Sequence, residues 1–261
     1  HSTVQCCWVL REVVTFFVRG GALLFACLLD CTKAFDLVNH QKLFAMLHKR
    51  GISSVHLRLL SYAYTNQIAK VSWGSAESRS FRISNGVRQG GILSPYLFAI
   101  YFDRLIELLR LSGAGCWYGL HYVGVLQYAD DLVLLCPSIF GLNKMLDITS
   151  QFAMSVDLCF NPKKSHAIAF GTRSVVQYPV YLNNVRVAFV DKCLYLGVIL
   201  TNNLDDVLHI QRIVSDLYAR FNSLLCQFRY NRDVLMYLFR MCCLSLYGIQ
   251  CCNINNIHIV D

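Results

Sequence analysis

Three aspartates stand where an ordinary core would not put them. Asp30 ends a run, Ala22 to Leu29, that is otherwise wholly apolar. Asp130 and Asp131 lie side by side between two further apolar runs, Tyr122 to Gln127 and Leu132 to Cys136. Like charges at the rim of a low-dielectric core repel, and one of them should protonate unless a cation is present. Mg²⁺ removes that penalty and suits carboxylate oxygens. One acid at a strand end and two at a neighbouring hairpin tip could hold a pair of metals ~3.5–4 Å apart, the arrangement that serves in-line phosphoryl displacement. The alternative is an acidic turn on a solvated surface. Asp30 weighs against it, because nothing structural asks for an acid at that strand end.

A second group of residues is backbone-directed. Gly86-Val87-Arg88-Gln89-Gly90-Gly91 offers close approach to a ligand without Cβ interference, with Arg88 supplying charge and Gln89 hydrogen bonds. Taken alone it also reads as an ordinary turn into a helix.

The elements that must position these residues follow from the hydrophobic pattern. Thr3 to Val18 has apolar residues at helical spacing, among them Val4, Trp8, Val13, Phe16 and Phe17. Ala22 to Leu29 reads as a strand buried on both faces. Asn39 can cap a helix with Leu43, Phe44 and Leu47 on one face, Lys49 and Arg50 in its last turn and Gly51 at its end. Ala69 to Ile83 alternates like a strand. Ser94-Pro95 is a cap and first-turn signal for a helix from Tyr96 to about Leu111. The two apolar runs around Tyr128 to Asp131 read as a hairpin with acids at its tip. Asn143 to Val156 is helical, His166 to Phe170 and Leu194 to Leu200 are strands, and Val207 to about Leu246 is helical and rich in aromatics. Strands and helices mix with hairpins, so the class is α+β.

Composition bounds the rest. The chain has 261 residues, enough for a sizeable core in one large or two modest domains. Hydrophobic residues make up 55% and charged residues 15%, which excludes intrinsic disorder. No stretch reaches the ~18 apolar residues of a membrane span, so no membrane partner is expected. The net charge is +8, with only three glutamates, a balance that favours a polyanionic partner. Thirteen cysteines lack any Cys-x-x-Cys pair, and Cys251-Cys252 with His258 does not have zinc-ligand spacing. They read as reduced thiols of an intracellular protein.

Taken in order along the chain, the motifs resemble those of reverse transcriptases. Tyr128-Ala129-Asp130-Asp131 resembles the reverse transcriptase signature. Leu29-Asp30-Cys31-Thr32-Lys33-Ala34-Phe35-Asp36, followed by Val38-Asn39-His40, resembles the first catalytic motif of non-LTR (LINE-type) retrotransposon polymerases. Asn85 to Pro95 resembles their second motif, Phe160-Asn161-Pro162-Lys163-Lys164-Ser165 the Asn-x-x-Lys motif, and Tyr195-Leu196-Gly197 the primer-grip turn. The likeness covers roughly Thr3 to Leu200.

That resemblance implies a right-hand polymerase palm, an antiparallel sheet with packed helices, carrying partial fingers and the start of a thumb. Residues 1–204 would be fingers remnant and palm, and 205–261 thumb or connection helices. The implied activity is RNA-directed DNA polymerisation from deoxynucleoside triphosphates, with an RNA template, a DNA primer and two Mg²⁺ or Mn²⁺ ions. Asp30 and Asp130 would ligate metal and Asp131 complete the cluster, one ion acidifying the primer 3′-hydroxyl and the other stabilising pyrophosphate. Phe35 would lie under the ribose 2′ position, or be plain core. Arg88, Gln89 and Gly90 would contact nucleotide and template. Lys164 would protonate pyrophosphate, with Lys163 competing for that role. Further finger, thumb and endonuclease segments would belong to a longer polyprotein. A group II intron or retron-type enzyme, and an inactive remnant that at most binds nucleic acid, are the alternatives.

Overall fold

The computed structural model describes residues 3–171, 179–244 and 248–252. In chain order it runs through helix α1 (Thr3–Arg19), strand β1 (Leu24–Leu29), and helices α2 (Ala34–Leu37), α3 (His40–Lys49) and α4 (Ser54–Thr65). Four two-residue strands follow: β2 (Ile68–Ala69), β3 (Ser72–Trp73), β4 (Ala76–Glu77) and β5 (Phe81–Arg82). Helix α5 (Ser94–Leu111) precedes β6 (Trp117–Tyr118), β7 (His121–Tyr122), β8 (Val125–Tyr128) and β9 (Asp131–Cys136). Next come α6 (Ile139–Ser155), β10 (His166–Phe170), β11 (Val180–Leu182), β12 (Val185–Phe189), β13 (Lys192–Tyr195) and β14 (Val198–Thr201). Helices α7 (Val207–Phe228) and α8 (Arg232–Leu238) follow, and a π-helical turn closes residues 239–243. The main sheet has six strands in the order β11-β12-β10-β1-β9-β8. The α+β expectation holds.

By internal contacts the chain forms two compact units that interleave along the sequence. One comprises His1–Ala26, His166–Tyr178 and Phe189–Asp261, and the other Cys27–Ser165 and Pro179–Ala188. In the first unit, α1 buries Cys7, Leu10 and Val14. The helix is where the pattern puts it, but Trp8 and Phe16 are half exposed. The helix is apolar nearly all round, so periodicity locates it without selecting the buried stripe. Arg11, on this helix, bonds both carboxylate oxygens of Asp206 at 2.5 and 2.6 Å and the Cys251 carbonyl at 2.5 Å. One guanidinium thus ties the start of the chain to the start of α7 and to the turn at Ile249–Cys251. Leu194 to Leu200 is a hairpin rather than one strand: Tyr195 pairs with Val198 across a two-residue turn.

In the second unit the core is aromatic, built on Phe98, Phe102, Phe152 and Phe160. Asn39 caps α3 as expected, accepting from the Gln41 and Lys42 amides. The Tyr101 hydroxyl accepts from the Asn39 amide and donates to the Val156 carbonyl, joining the head of α3 to the tail of α6. Two helix starts differ from the sequence reading. Ser94 is the first helical residue of α5, not its cap, and its hydroxyl donates to the Arg88 carbonyl instead. Helix α6 begins at Ile139 rather than Asn143, because Ser138 caps it by accepting from the Gly141 amide.

All thirteen cysteines are free, and eight of them are buried. Among the described residues no helix is long and apolar enough to cross a membrane. His258 and the end of the helical stretch at Leu246 lie outside the described residues.

Candidate active site

Asp30 follows the last residue of β1, a strand with five of its six residues buried. Its backbone is held on both sides. The Asp30 amide donates to Ser165 Oγ at 3.2 Å, and its carbonyl accepts from the Asn161 amide at 2.9 Å. Thr32 N donates to the Cys159 carbonyl, and Cys31 bridges Phe160 across the antiparallel pair. The Asn161–Ser165 turn is therefore pinned to the strand end that carries Asp30. Inside the turn, Asn161 Oδ1 accepts from the Lys163 amide and Ser165 Oγ donates to the Asn161 carbonyl. Lys163 and Lys164 stand exposed on its outer side.

Asp130 and Asp131 sit at the β8–β9 hairpin, in which Tyr128 pairs with Asp131 across the two-residue turn Ala129-Asp130. Ala129 has φ 51°, a left-handed conformation unusual for alanine. The hairpin can hold it because Leu132 to Cys136 are all buried and fix β9 in the core. The Asp131 carboxyl is held above its ordinary value, first by lost hydration at the strand rim, then by Asp130 and by Asp30. Asp131 thus feels the charge of both Asp130 and Asp30. The Cys31 thiol, next to Asp30 in the chain, is pushed up to about 12, by burial first and then by Asp130, Cys159 and Asp30. It stays protonated, so the donors at this rim are carboxylate oxygens alone, a set that fits a hard divalent cation. Among the described residues no three His, Cys, Asp or Glu side chains converge to ligating distance. Asp130 and Asp30 act on Asp131 without the three forming a closed cage.

Phe35 is half-buried, its ring stacked on Phe98 of α5 with centroids 4.5 Å apart and planes 10° from parallel. The Gly86–Gly91 loop is laced to the same turn: Val87 N donates to the Phe35 carbonyl at 2.7 Å and Gly86 N to the Val38 carbonyl at 2.8 Å. Gln89 Nε2 reaches Asp36 Oδ1 at 3.4 Å, while Arg88, Gln89 and Gly90 are exposed. Gly86 has φ +93°, and a Cβ there would meet the Asp36 carbonyl oxygen at 2.9 Å and the Phe35 carbonyl oxygen at 3.0 Å. Gly86→Ala should therefore lift the loop off the Phe35 turn. We expect it to destabilise by about 1–3 kcal/mol, read from denaturant midpoints, since both conformation and contact oppose a side chain. An unchanged midpoint would show that the loop closes without the glycine.

Tyr195, Leu196 and Gly197 belong to the other compact unit. Leu196 (φ 44°) and Gly197 (φ 84°) form the tight turn between β13 and β14. The Tyr195 side chain is 3% exposed and its carbonyl accepts from the Cys7 thiol at 3.6 Å, so only the turn itself is presented outward. The sequence reading gave no role to His40 or Ser165 and only a helix-capping one to Ser94; all three are buried polar residues that hold these loops. The signal available was that each directly adjoins or lies within a quoted motif.

Residues 16–200 match the family described as reverse transcriptase (RNA-dependent DNA polymerase). Over 146 residues the chain is 31% identical to the "Retrovirus-related Pol polyprotein from type-1 retrotransposable element R2" of Nasonia vitripennis, covering 56% of this chain and 14% of that protein. Over 206 residues it is 25% identical to the "RNA-directed DNA polymerase from mobile element jockey" of Drosophila funebris, covering 76% of this chain and 22% of that one. The chain thus spans between a seventh and a quarter of the length of these relatives. The structure of apo telomerase from Candida tropicalis superposes with a TM-score of 0.55 at 13% identity, covering 77% of this chain and 35% of the other. At that identity the likeness is one of fold, and it identifies the mixed sheet and helices as palm-like. With residues 16–200 matching that family and the acids, glycine loop and Asn161–Ser165 turn gathered in one compact unit, the chain belongs to the reverse transcriptase (RNA-dependent DNA polymerase) family.

Proposed function

We propose that the domain is an RNA-directed DNA polymerase that extends a DNA primer on an RNA template, using Mg²⁺ or Mn²⁺ at Asp30, Asp130 and Asp131. The observation that carries this reading is the placement of Asp30 at the end of β1 and of Asp130 and Asp131 at the β8–β9 hairpin, in one compact unit that also holds Phe35, Arg88, Gln89, Gly90 and Lys164. In the reaction the primer 3′-oxygen bonds to the α-phosphorus, the bond to the bridging oxygen breaks, and pyrophosphate leaves. A bound metal pair would acidify the 3′-hydroxyl and neutralise charge on the phosphates.

The chain's own residues do the rest. Asp30, Asp130 and Asp131 supply oxygen ligands. Arg88, Gln89 and Gly90 meet template and nucleotide along the loop, and Phe35 crowds the ribose 2′ position. Lys164, fixed by the turn pinned to Asp30, delivers a proton to the departing pyrophosphate. The Leu196-Gly197 turn, with Tyr195 anchoring it from the core, steadies the primer. Residues 1–204 serve as fingers and palm and 205–261 as thumb, within a longer polyprotein that acts inside the cell. The surplus of eight positive charges suits a nucleic-acid duplex.

The test is primer extension on an RNA template with deoxynucleotides and Mg²⁺. Failure to extend, together with salt-sensitive RNA binding, would make the domain a binding module instead. Metal should also act on stability, because only the folded chain gathers the ligands. At a concentration about tenfold above its dissociation constant, Mn²⁺ should add about 1.4 kcal/mol, or roughly 3–5 °C in Tm. Asp30→Ala should abolish most of that increment and leave the metal-free protein no less stable. A Tm of the unmutated protein indifferent to metal would count against the carboxylate site.

A further inference from the structure

Five polar side chains are buried in the unit that carries the candidate site. Thr149 and Ser150 donate to carbonyls one turn back in their own helix and need no further account. The other three reach out of their elements. Ser165 binds the Asp30 amide, Ser94 the Arg88 carbonyl, and His40 the Gly86 carbonyl at 2.8 Å. A carbonyl only accepts, so Nε2 of His40 carries the proton and donates. The ring itself packs edge-on to Tyr64, with centroids 5.1 Å apart, and lies tilted beside Phe44.

We propose that His40 is a positioning residue for the polymerase reaction: its Nε2–H on Gly86 fixes the loop bearing Arg88, Gln89 and Gly90 against the turn bearing Phe35. This rests on the polymerase reading above. Gly86 is held through both backbone groups, its amide by Val38 and its carbonyl by His40, while the next amide is held by Phe35. Ser94 Oγ and the Gly91 amide both donate to the Arg88 carbonyl, and the Ser94 amide donates to the Gly91 carbonyl at the loop's far end. The exposed residues 88–90 therefore start and finish at fixed points. A nucleotide sugar held between Phe35 and the loop would meet both, so slack at Gly86 would loosen both nucleotide affinity and the choice between deoxyribose and ribose.

The ring and the donor can be separated by substitution. His40→Phe keeps an aromatic ring against Tyr64 and Phe44 but has no donor. His40→Gln loses the ring but can place an amide nitrogen where Nε2 stands, and His40→Leu loses both. Each full-length variant is to be assayed for KM and kcat with deoxynucleotides, for deoxy- over ribonucleotide preference, for Tm, and for hydrogen exchange at the Gly86 and Val87 amides. His40→Phe should keep Tm close to the parent, raise KM about three- to tenfold at nearly unchanged kcat, narrow the sugar preference and speed exchange, the scale expected for one lost neutral hydrogen bond. His40→Gln should melt lower yet recover KM, preference and exchange relative to His40→Leu. Parental exchange in His40→Phe, or exchange in His40→Gln as fast as in His40→Leu, would overturn the proposal. So would faster exchange with unaltered KM and preference. If the parent chain extends no primer, the polymerase reading fails on its own account, and the exchange rates still decide whether His40 holds the loop.

Discussion

Asp130→Asn is expected to cut primer extension on an RNA template by more than about 100-fold while leaving the fold intact. Changes to groups that merely support a metal ligand cost about 10–100-fold, and with Asp130 as a proposed ligand this variant removes the charge of the ligand itself. The fold should survive because Asp130 lies exposed in a two-residue turn whose flanking strand is anchored by Leu132 to Cys136. A second readout follows from the neighbouring carboxyl. Asp131 is held above its ordinary value, so in chelator its contribution to stability is complete below the unfolded carboxylate pKa and is lost as pH rises through the raised one. Removing the Asp130 charge takes away one cause of that rise. Melting curves of Asp130→Asn in chelator should therefore fall less steeply above the ordinary carboxylate range than those of the parent. Extension that persists at the parental rate would remove Asp130 from the chemistry, and an identical pH slope would separate it from Asp131.

Phe35→Val is expected to admit ribonucleotides while preserving extension with deoxynucleotides. The ring is half-buried, with one face stacked on Phe98, so part of its volume is free to obstruct a 2′-hydroxyl. Rejection by overlap disappears once the obstructing atoms are gone. The stability cost should be about 1–2 kcal/mol, below that of deleting a fully buried ring, comprising the lost stacking and a partial loss of burial. The comparison is single-nucleotide incorporation of a deoxy- and a ribonucleotide opposite the same template base, alongside a denaturant midpoint. Unaltered discrimination with lowered stability would make Phe35 a core residue and nothing more. Because the Val87 amide bonds the Phe35 backbone carbonyl and not its side chain, the loop should stay in place in this variant.

Much of this molecule was legible in the chain because the signals were local. Wholly apolar Ala22 to Leu29 had to be a strand covered on both faces, and β1 is an inner strand of the six-stranded sheet. Two apolar runs with acids between them had to turn there, and the hairpin pairs Tyr128 with Asp131. Asn39 had a free side-chain oxygen beside a helical pattern, and it caps α3. Such outcomes depend on neighbours a few residues away, so period and side-chain chemistry suffice. Other features depended on partners that sequence spacing does not encode. Which stripe of α1 is buried was settled by what packs on it, since apolar residues ring the helix. Ser94 stands one residue inside the helix, its hydroxyl donating to the Arg88 carbonyl rather than accepting from a helix amide. Tyr195 turned inward, leaving the turn rather than the ring on display. The sequence determined which residues could do chemistry; the tertiary structure decided how they are held, through His40 on Gly86, Ser165 on Asp30 and Arg11 on Asp206. The physical reason is that a buried polar group must find a partner wherever the folded chain supplies one, and here those partners lie 46, 135 and 195 residues away.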